Sequence, residues 1–385
     1  MLFNSFAFGA FFVVVTTLFF VLPHSFRWLL LLLASCFFYM FFVPIFILIL
    51  AVTIIVDYSA AILIENTSNP RKKKFFLSIS IVSVCTVLFV FKYFNFFNTN
   101  FAALAAALDW NYSIEALSIA LPIGLSFHTF QSLSYVIEVY QGRQKAERHF
   151  GIFALYVMYF PQLVAGPIER PQHLLYQFHE RKRFNLRRLL DGLSLALWGL
   201  FKKVVVADSL AIYTDTIYSA SSHHTGASLL VATYCFAFQI YCDFSGYSDI
   251  ARGVSRVYGI DLMKNFDAPY LAKSISEFWA RWHISLSTWF KDYVYIPLGG
   301  NRVSLGRNTF NLFVVFLLSG FWHGANRTFI VRGRSPWCVF DHWEAKGDRP
   351  QAAGDDPKRT WSATAGASCA LDLSSGLDRL GVFSG

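Results

Sequence analysis

Apolar residues in this chain run in contiguous stretches long enough to cross a lipid bilayer, and this restricts the fold more than any single motif does. A helix needs about 20 apolar residues to cross a hydrocarbon core of roughly 30 Å. Stretches of that order predict spans near 6–22, 26–43, 45–64, 75–94, 114–138, 189–206, 227–246 and 309–325. The expected fold class is therefore all-α, a polytopic membrane protein. Composition excludes the soluble alternative: 55% of residues are hydrophobic, 42 are Phe and only 15% are charged, against about 25% charged in soluble domains.

Charge sets the expected direction of the spans. Arg71, Lys72, Lys73 and Lys74 follow the third span, whereas 95–113 and 208–226 carry no Lys or Arg. The basic side should be cytoplasmic, which places the N-terminus outside and the regions around Arg143 to Arg148 and Arg181 to Arg188 inside. The net charge of +9 is explained by these loops, and no nucleic-acid motif is present. Met1 to Leu22 lacks a basic leading region and a small-residue cleavage site, so it reads as a retained first span.

Two irregularities are expected within this frame. Pro44 divides one long apolar run into two helices joined by a tight hairpin. The segment Phe150 to Ile168 must enter and leave on one face, and it carries Pro161, Gly166 and Pro167, which break helical hydrogen bonding. It reads as re-entrant. Broken backbone at membrane depth is tolerated only where protein or a wet cavity satisfies the freed groups, so a cavity is expected nearby.

Polar residues then mark the candidate site. His323 closes the apolar run from Phe310 to Trp322. Ionisable groups in or beside membrane segments are rare and are functional candidates by default. His283 lies forty residues upstream in Arg-Trp-His. Between Gln239 and Arg256 a span fills with polar groups, and helical spacing puts Asp243 with Tyr247, Asp249 with Arg252, and Arg252 with Arg256 on shared faces. Ser274 to Glu277 has the form of a capping box. It should start an amphipathic interfacial helix whose apolar stripe includes Trp282 and Trp289, ended by Pro297. His24, His128, His149, His173, His179, His223 and His224 have no supporting constellation and read as structural.

Chemistry can be narrowed from these groups alone. The six cysteines, Cys36, Cys85, Cys235, Cys242, Cys338 and Cys369, form no Cys-x-x-Cys pair, and no metal ligand set, nucleophile elbow or phosphate loop is expected. A partly buried neutral imidazole, with a reference pKa of about 6.5, can accept a proton near neutral pH. That suits general-base catalysis of an alcohol attacking a thioester, a role that typically contributes roughly 10²–10⁴-fold.

Three ordered stretches make the reading more specific: Asp-Phe-Ser-Gly-Tyr-Ser-Asp-Ile-Ala-Arg-Gly at 243–253, Phe-Trp-Ala-Arg-Trp-His-Ile-Ser-Leu-Ser-Thr-Trp-Phe at 278–290, and Ser-Gly-Phe-Trp-His-Gly-Ala-Asn at 319–326. The set resembles the membrane-bound O-acyltransferase superfamily, in the branch of the bacterial alginate O-acetylation membrane component, with teichoic acid D-alanyl transfer as a relative. Leu121 to Phe130 and Phe160 to Pro171 resemble that branch too. The resemblance implies a ring of tilted helices around a central funnel, with a re-entrant segment and interfacial helices. It implies His323 as catalytic base and His283 as a second essential residue. Asp249, Arg281, Asn326, Trp282, Tyr247 and Asp243 are the candidates for shaping the substrate chamber.

The implied reaction passes an acetyl or other short acyl group from a cytoplasmic thioester, acetyl-CoA, to hydroxyls of an exported polysaccharide such as alginate. No bound cofactor is expected. Periplasmic acyltransferase partners and an inner-membrane location are implied. Two other readings stay open: a proton-coupled transporter or channel, since buried Asp and His also serve proton relays, and an inactive scaffold of an acetylation complex. The family pattern is expected over residues 1–326, after which Arg327 and Arg332 interrupt the apolar continuation. Residues 327–385 are polar and read as an aberrant tail, disordered or produced by a shifted reading frame. If helices lost there normally wall the cavity, His323 would be left unsupported.

Overall fold

The computed structural model describes residues 1–117, 122, 124–164 and 166–324. No β-strand occurs among them. The protein is a polytopic helical membrane protein. Three helical runs are long and apolar enough to cross a membrane, Phe46–Asn66, Pro70–Ala107 and Gly226–Val257, with shorter apolar helices at Phe6–Val21 and His24–Met40. The tail beyond residue 326 lies outside the described residues.

The helices follow in order: α1 (Phe6–Val21), α2 (His24–Met40), α3 (Phe46–Asn66), α4 (Pro70–Leu88), α5 (Phe94–Ala107), α6 (Leu125–Tyr140), α7 (Phe150–Met158), α8 (Phe160–Leu163), α9 (Pro171–His179), α10 (Leu186–Leu200), α11 (Asp208–Ser219), α12 (Gly226–Val257), α13 (Ile275–Arg281), α14 (Ile284–Phe290) and α15 (Leu305–His323). π-helical turns join α4 to α5 at Phe89–Tyr93 and α10 to α11 at Phe201–Ala207, and another extends α14 at Lys291–Tyr295. Pro44 sits in the turn between α2 and α3, as the hairpin reading requires.

Several expected boundaries move. The span near 75–94 runs on to Ala107, because the π-helical turn at Phe89–Tyr93 continues the helix without a break. The span near 114–138 begins only at Leu125, and residues 111–117 are not helical. They are held against α5 instead: Asn95 bonds both the N–H and the C=O of Leu117 at 2.8 Å, and Asn98 donates to the Ile114 carbonyl at 3.1 Å. Side-chain amides thus take the place of helical bonds, and apolar composition alone does not reveal it. Gly124 turns the chain into α6 at φ +77°, where a Cβ would lie 2.3 Å from the Leu163 carbonyl oxygen.

The described residues form two compact units, Met1–Val204 with Phe244–Asp267, and Val205–Asp243 with the described residues from Ala268 onward. In the first, the core gathers on aromatic rings. Phe160 meets Phe11 at 5.2 Å, Phe38 at 5.7 Å and Tyr258 at 6.2 Å.

Phe160 follows the break in the 150–168 segment. Tyr159 leaves α7 in a non-helical conformation, φ −50° and ψ +111°, and Pro161 occupies the first turn of α8, where its missing N–H is harmless. The freed groups are satisfied by protein. Ser35 accepts from the Phe160 N–H at 3.0 Å, and Gln131 and Gln162 both donate to the Tyr156 carbonyl, at 2.5 and 2.8 Å. The following Glu169 is fully buried, where its carboxylate accepts from the Met263 N–H at 2.5 Å and meets His173 Nδ1 at 2.7 Å. Broken backbone in an apolar setting survives because partners for it are built in.

Candidate functional site

Both candidate histidines belong to the second unit. Ser274 starts α13 by accepting from the Glu277 N–H at 3.1 Å, as the capping reading expects. The Glu277 carboxylate reaches back one residue further than the motif implies, to the Lys273 N–H at 2.7 Å, and binds Arg281 at 2.5 Å. The Lys273 amide, then the Arg281 charge, holds this carboxyl below its ordinary range. Arg281 is therefore committed to its own helix through an i,i+4 pair.

The single interfacial helix expected from Ser274 onward is two short helices. Trp282 is extended, and His283 adopts the left-handed conformation, φ +45° and ψ +54°, between α13 and α14. That region is uncommon for any residue with a Cβ, and His is among the types that tolerate it best. The apolar spacing runs evenly through the break, so periodicity does not signal it. Strain of this kind persists only where the surroundings over-determine it, and it clusters at functional sites. Here the surroundings are aromatic: Trp282 stacks on Phe278 at 5.5 Å and lies 6.3 Å from Tyr241, and Trp279 meets Phe316 of α15 at 5.8 Å.

The turn buries His283, leaving 4% of it exposed. Burial pushes its imidazole down to about 3, and the nearby His323 adds to that depression. His323, forty residues further along the sequence, is thus among the groups that act on His283. His323 is the last residue of α15, exposed, with its ring edge-on to Trp322 at 4.8 Å. Asn326 lies outside the described residues.

The remaining candidates sit on α12. Asp243 belongs to the second unit, and Tyr247 and Asp249 belong to the first. Tyr247 packs 6.2 Å from Phe3, with Lys203 Nζ 5.4 Å above its ring. Asp249 pairs with Arg252 at 3.1 Å, as its spacing predicts, but its shorter partner is Lys202, at 2.6 Å. Arg256 turns instead to Asp191, at 3.7 Å.

Lys202 is a residue that the sequence reading missed. It reaches α12 because α10 and α12 cross on glycine. Added Cβ atoms would come 2.7 Å from the Gly253 oxygen at Gly192, 2.6 Å from the Gly246 oxygen at Gly199, and 2.5 Å from the Gly192 oxygen at Gly253. Close backbone approach at small residues is how membrane helices gain contact without a hydrophobic driving force. The seven-residue spacing of Gly192 and Gly199, matched by Gly246 and Gly253, is the signal that could have found it.

Other polar groups have structural partners. His149 caps α7, His179 meets Glu147 at 2.8 Å, and buried Asp57 accepts from Ser80 at 2.5 Å and also from Ser132. His128 departs from this pattern: its Nε2 is buried and has no hydrogen-bond partner among the described residues. No cluster of three metal-ligating side chains occurs among the described residues.

A helical membrane protein with a buried imidazole held in a left-handed turn is the class this architecture defines. The chain belongs to the MBOAT, membrane-bound O-acyltransferase family, whose model matches residues 148–342. It is similar to the probable alginate O-acetylase AlgI of Azotobacter vinelandii, 44% identical over 257 residues, which cover 67% of this chain and 51% of that protein. It is also similar to the peptidoglycan O-acetyltransferase of Helicobacter pylori, 37% identical over 72% of this chain and 56% of the relative, and to the teichoic acid D-alanyltransferase of Bacillus subtilis, 28% identical over 58% and 60%. The chain spans about half the length of the alginate relatives it matches.

Proposed function

We propose that this chain is a membrane O-acyltransferase that moves an acetyl or other short acyl group from a thioester donor, acetyl-CoA, to hydroxyls of an exported polysaccharide such as alginate. One observation carries the reading: His283 is buried in a left-handed turn and coupled to His323, and both lie on the stretches that resemble the family. Alginate, peptidoglycan and teichoic acid appear in the names of relatives, which favours a cell-surface polymer as acceptor.

In this mechanism neutral His323 takes the proton of the acceptor hydroxyl as its oxygen adds to the thioester carbonyl. The carbon–sulfur bond then breaks, and the imidazolium returns the proton to the departing thiolate. His283, held neutral by burial, would leave the charge on His323 uncontested. A second cation beside an imidazolium is unfavourable, so depressing one histidine reserves the proton for the other. The donor would approach from the cytoplasmic side of an inner membrane, and a periplasmic acyltransferase would complete delivery to the polymer.

The test is mass spectrometry of cell-surface polysaccharide from strains carrying the wild-type gene, His323→Ala, or no copy. Ester-linked acyl groups should disappear in both altered strains while the variant protein stays in the membrane. A single base contributes roughly 10²–10⁴-fold, so the loss should be nearly complete. Unchanged acylation in the variant would overturn the base assignment. Solute flux through proteoliposomes without any acyl donor would favour a transporter.

A further inference from the structure

We infer that the crossing of α10 and α12 holds an anion of the phosphate class, supplied either by a phosphate-bearing thioester donor or by the phosphodiester of an anionic lipid. Four residues of α12, Ser245, Ser248, Asp249 and Arg252, recur at three and four and so share one face. Lys202 meets that face from the π-helical turn after α10, donating to Ser245 Oγ at 2.9 Å and to Asp249 at 2.6 Å. Single π-helical turns are frequent at functional sites.

Among the described residues of this face, charge does not balance. Lys202 and Arg252 are two cations, and the carboxylate between them is one anion, its two oxygens taken at 2.6 and 3.1 Å. The side chains are largely withdrawn from solvent, with Lys202 at 10% exposed and Arg252 at 23%. A surplus charge in a membrane helix pair is costly and marks a function unless a partner compensates it. Donors also stand unused. Arg252 Nε and Ser248 Oγ are buried and make no hydrogen bond among the described residues, and Ser248 is 1% exposed. Buried polar groups without partners are rare enough to need a reason.

An anion resolves both imbalances at once. A tetrahedral phosphate offers several acceptor oxygens, and guanidinium and ammonium donors form the stronger, charge-assisted hydrogen bonds with it. The glycine packing keeps the two helices close enough for Lys202 and the α12 face to act on one group. Asp249 is the one acidic side chain on that face, and it works against the ligand while holding the two cations in place.

The experiment uses the full chain in nanodiscs and reads binding without turnover, so its outcome is independent of His323. Coenzyme A is titrated by calorimetry into zwitterionic phosphatidylcholine discs. In parallel, discs containing phosphatidylglycerol are analysed by native mass spectrometry for retained lipid. Lys202→Met and Arg252→Met should each weaken the probe that binds by about tenfold or more, the loss expected for a charge-assisted hydrogen bond. Ser248→Ala removes no bond that the protein itself makes, so it should fold normally and still weaken binding several-fold. Asp249→Asn should tighten binding, a direction that a purely structural ion pair would not give. Binding is read apart from acyl transfer, so a failure here leaves the acyl-transfer reading standing, and loss of acylation in His323→Ala leaves this one standing. A response to coenzyme A identifies the donor as the source, and a response only to phosphatidylglycerol identifies lipid. Binding of neither probe, wild-type affinity in Ser248→Ala and Arg252→Met, or weakening in Asp249→Asn would overturn it.

Discussion

The crossing of α10 with α12 and the break between α13 and α14 place polar side chains in an apolar protein by opposite means. At the crossing the backbone is regular along α12, and glycines bring two helices so close that a lysine on one meets a carboxylate on the other at 2.6 Å. At the break the backbone itself is bent into a left-handed turn, and aromatic rings fill the space around it. The first device specifies distance between elements. The second specifies the direction of one imidazole within an element. A chain with few charges can therefore build polar sites either by packing or by local strain, and the two should fail differently when altered.

The largest effect is expected at the crossing. Gly246→Val inserts a side chain where a Cβ would already stand 2.8 Å from the Gly199 oxygen and 3.0 Å from the Lys203 nitrogen. Overpacking costs about 1–3 kcal/mol and more when backbone must move, so the variant should lose monodisperse elution or melt far below the wild type. An unchanged melting temperature would break the comparison, since the helices would then not depend on their glycines.

A smaller, pH-dependent effect is expected at the break. His283 is depressed to about 3 in the folded protein, against about 6.5 unfolded. Between those values the unfolded chain binds the proton and the folded one does not, so stability falls as pH drops below about 6.5, by at most about 1.4 kcal/mol per pH unit. His283→Asn keeps a residue tolerant of left-handed backbone and removes the titration. Thermal melts from pH 7 to pH 5 should slope less in the variant, and parallel slopes would show that the turn does not exclude the proton.

The smallest effect concerns the start of α13. Ser274→Ala removes the acceptor of the Glu277 N–H and should cost about 1 kcal/mol. A loss of that size confined to this helix, read as faster amide exchange over residues 275–281, would show that the break is supported locally as well as by the rings. Protection unchanged there would assign the turn to aromatic packing alone.

Particular residues show where legibility ends. The hairpin at Pro44, the capping serine at 274 and the Asp249–Arg252 pair could all be read from spacing, because each depends on neighbours within a few positions. The late start of α6 could not, since it turns on Asn95 and Asn98 capturing a distant loop. Nor could Lys202, which is one basic residue among many until a second helix supplies Ser245 and Asp249.

Sequence alone determined that the chain is helical and membrane-embedded, because lipid demands apolar side chains and internally bonded backbone wherever it is met. It also singled out two histidines, because ionisable groups beside apolar runs are too costly to be incidental. Only the tertiary structure decided that His283 sits in a left-handed turn under the influence of His323, and that Lys202 joins the Asp249–Arg252 pair across a glycine seam. Those are relations between residues far apart in the chain, and periodicity carries no record of which distant surfaces close on one another.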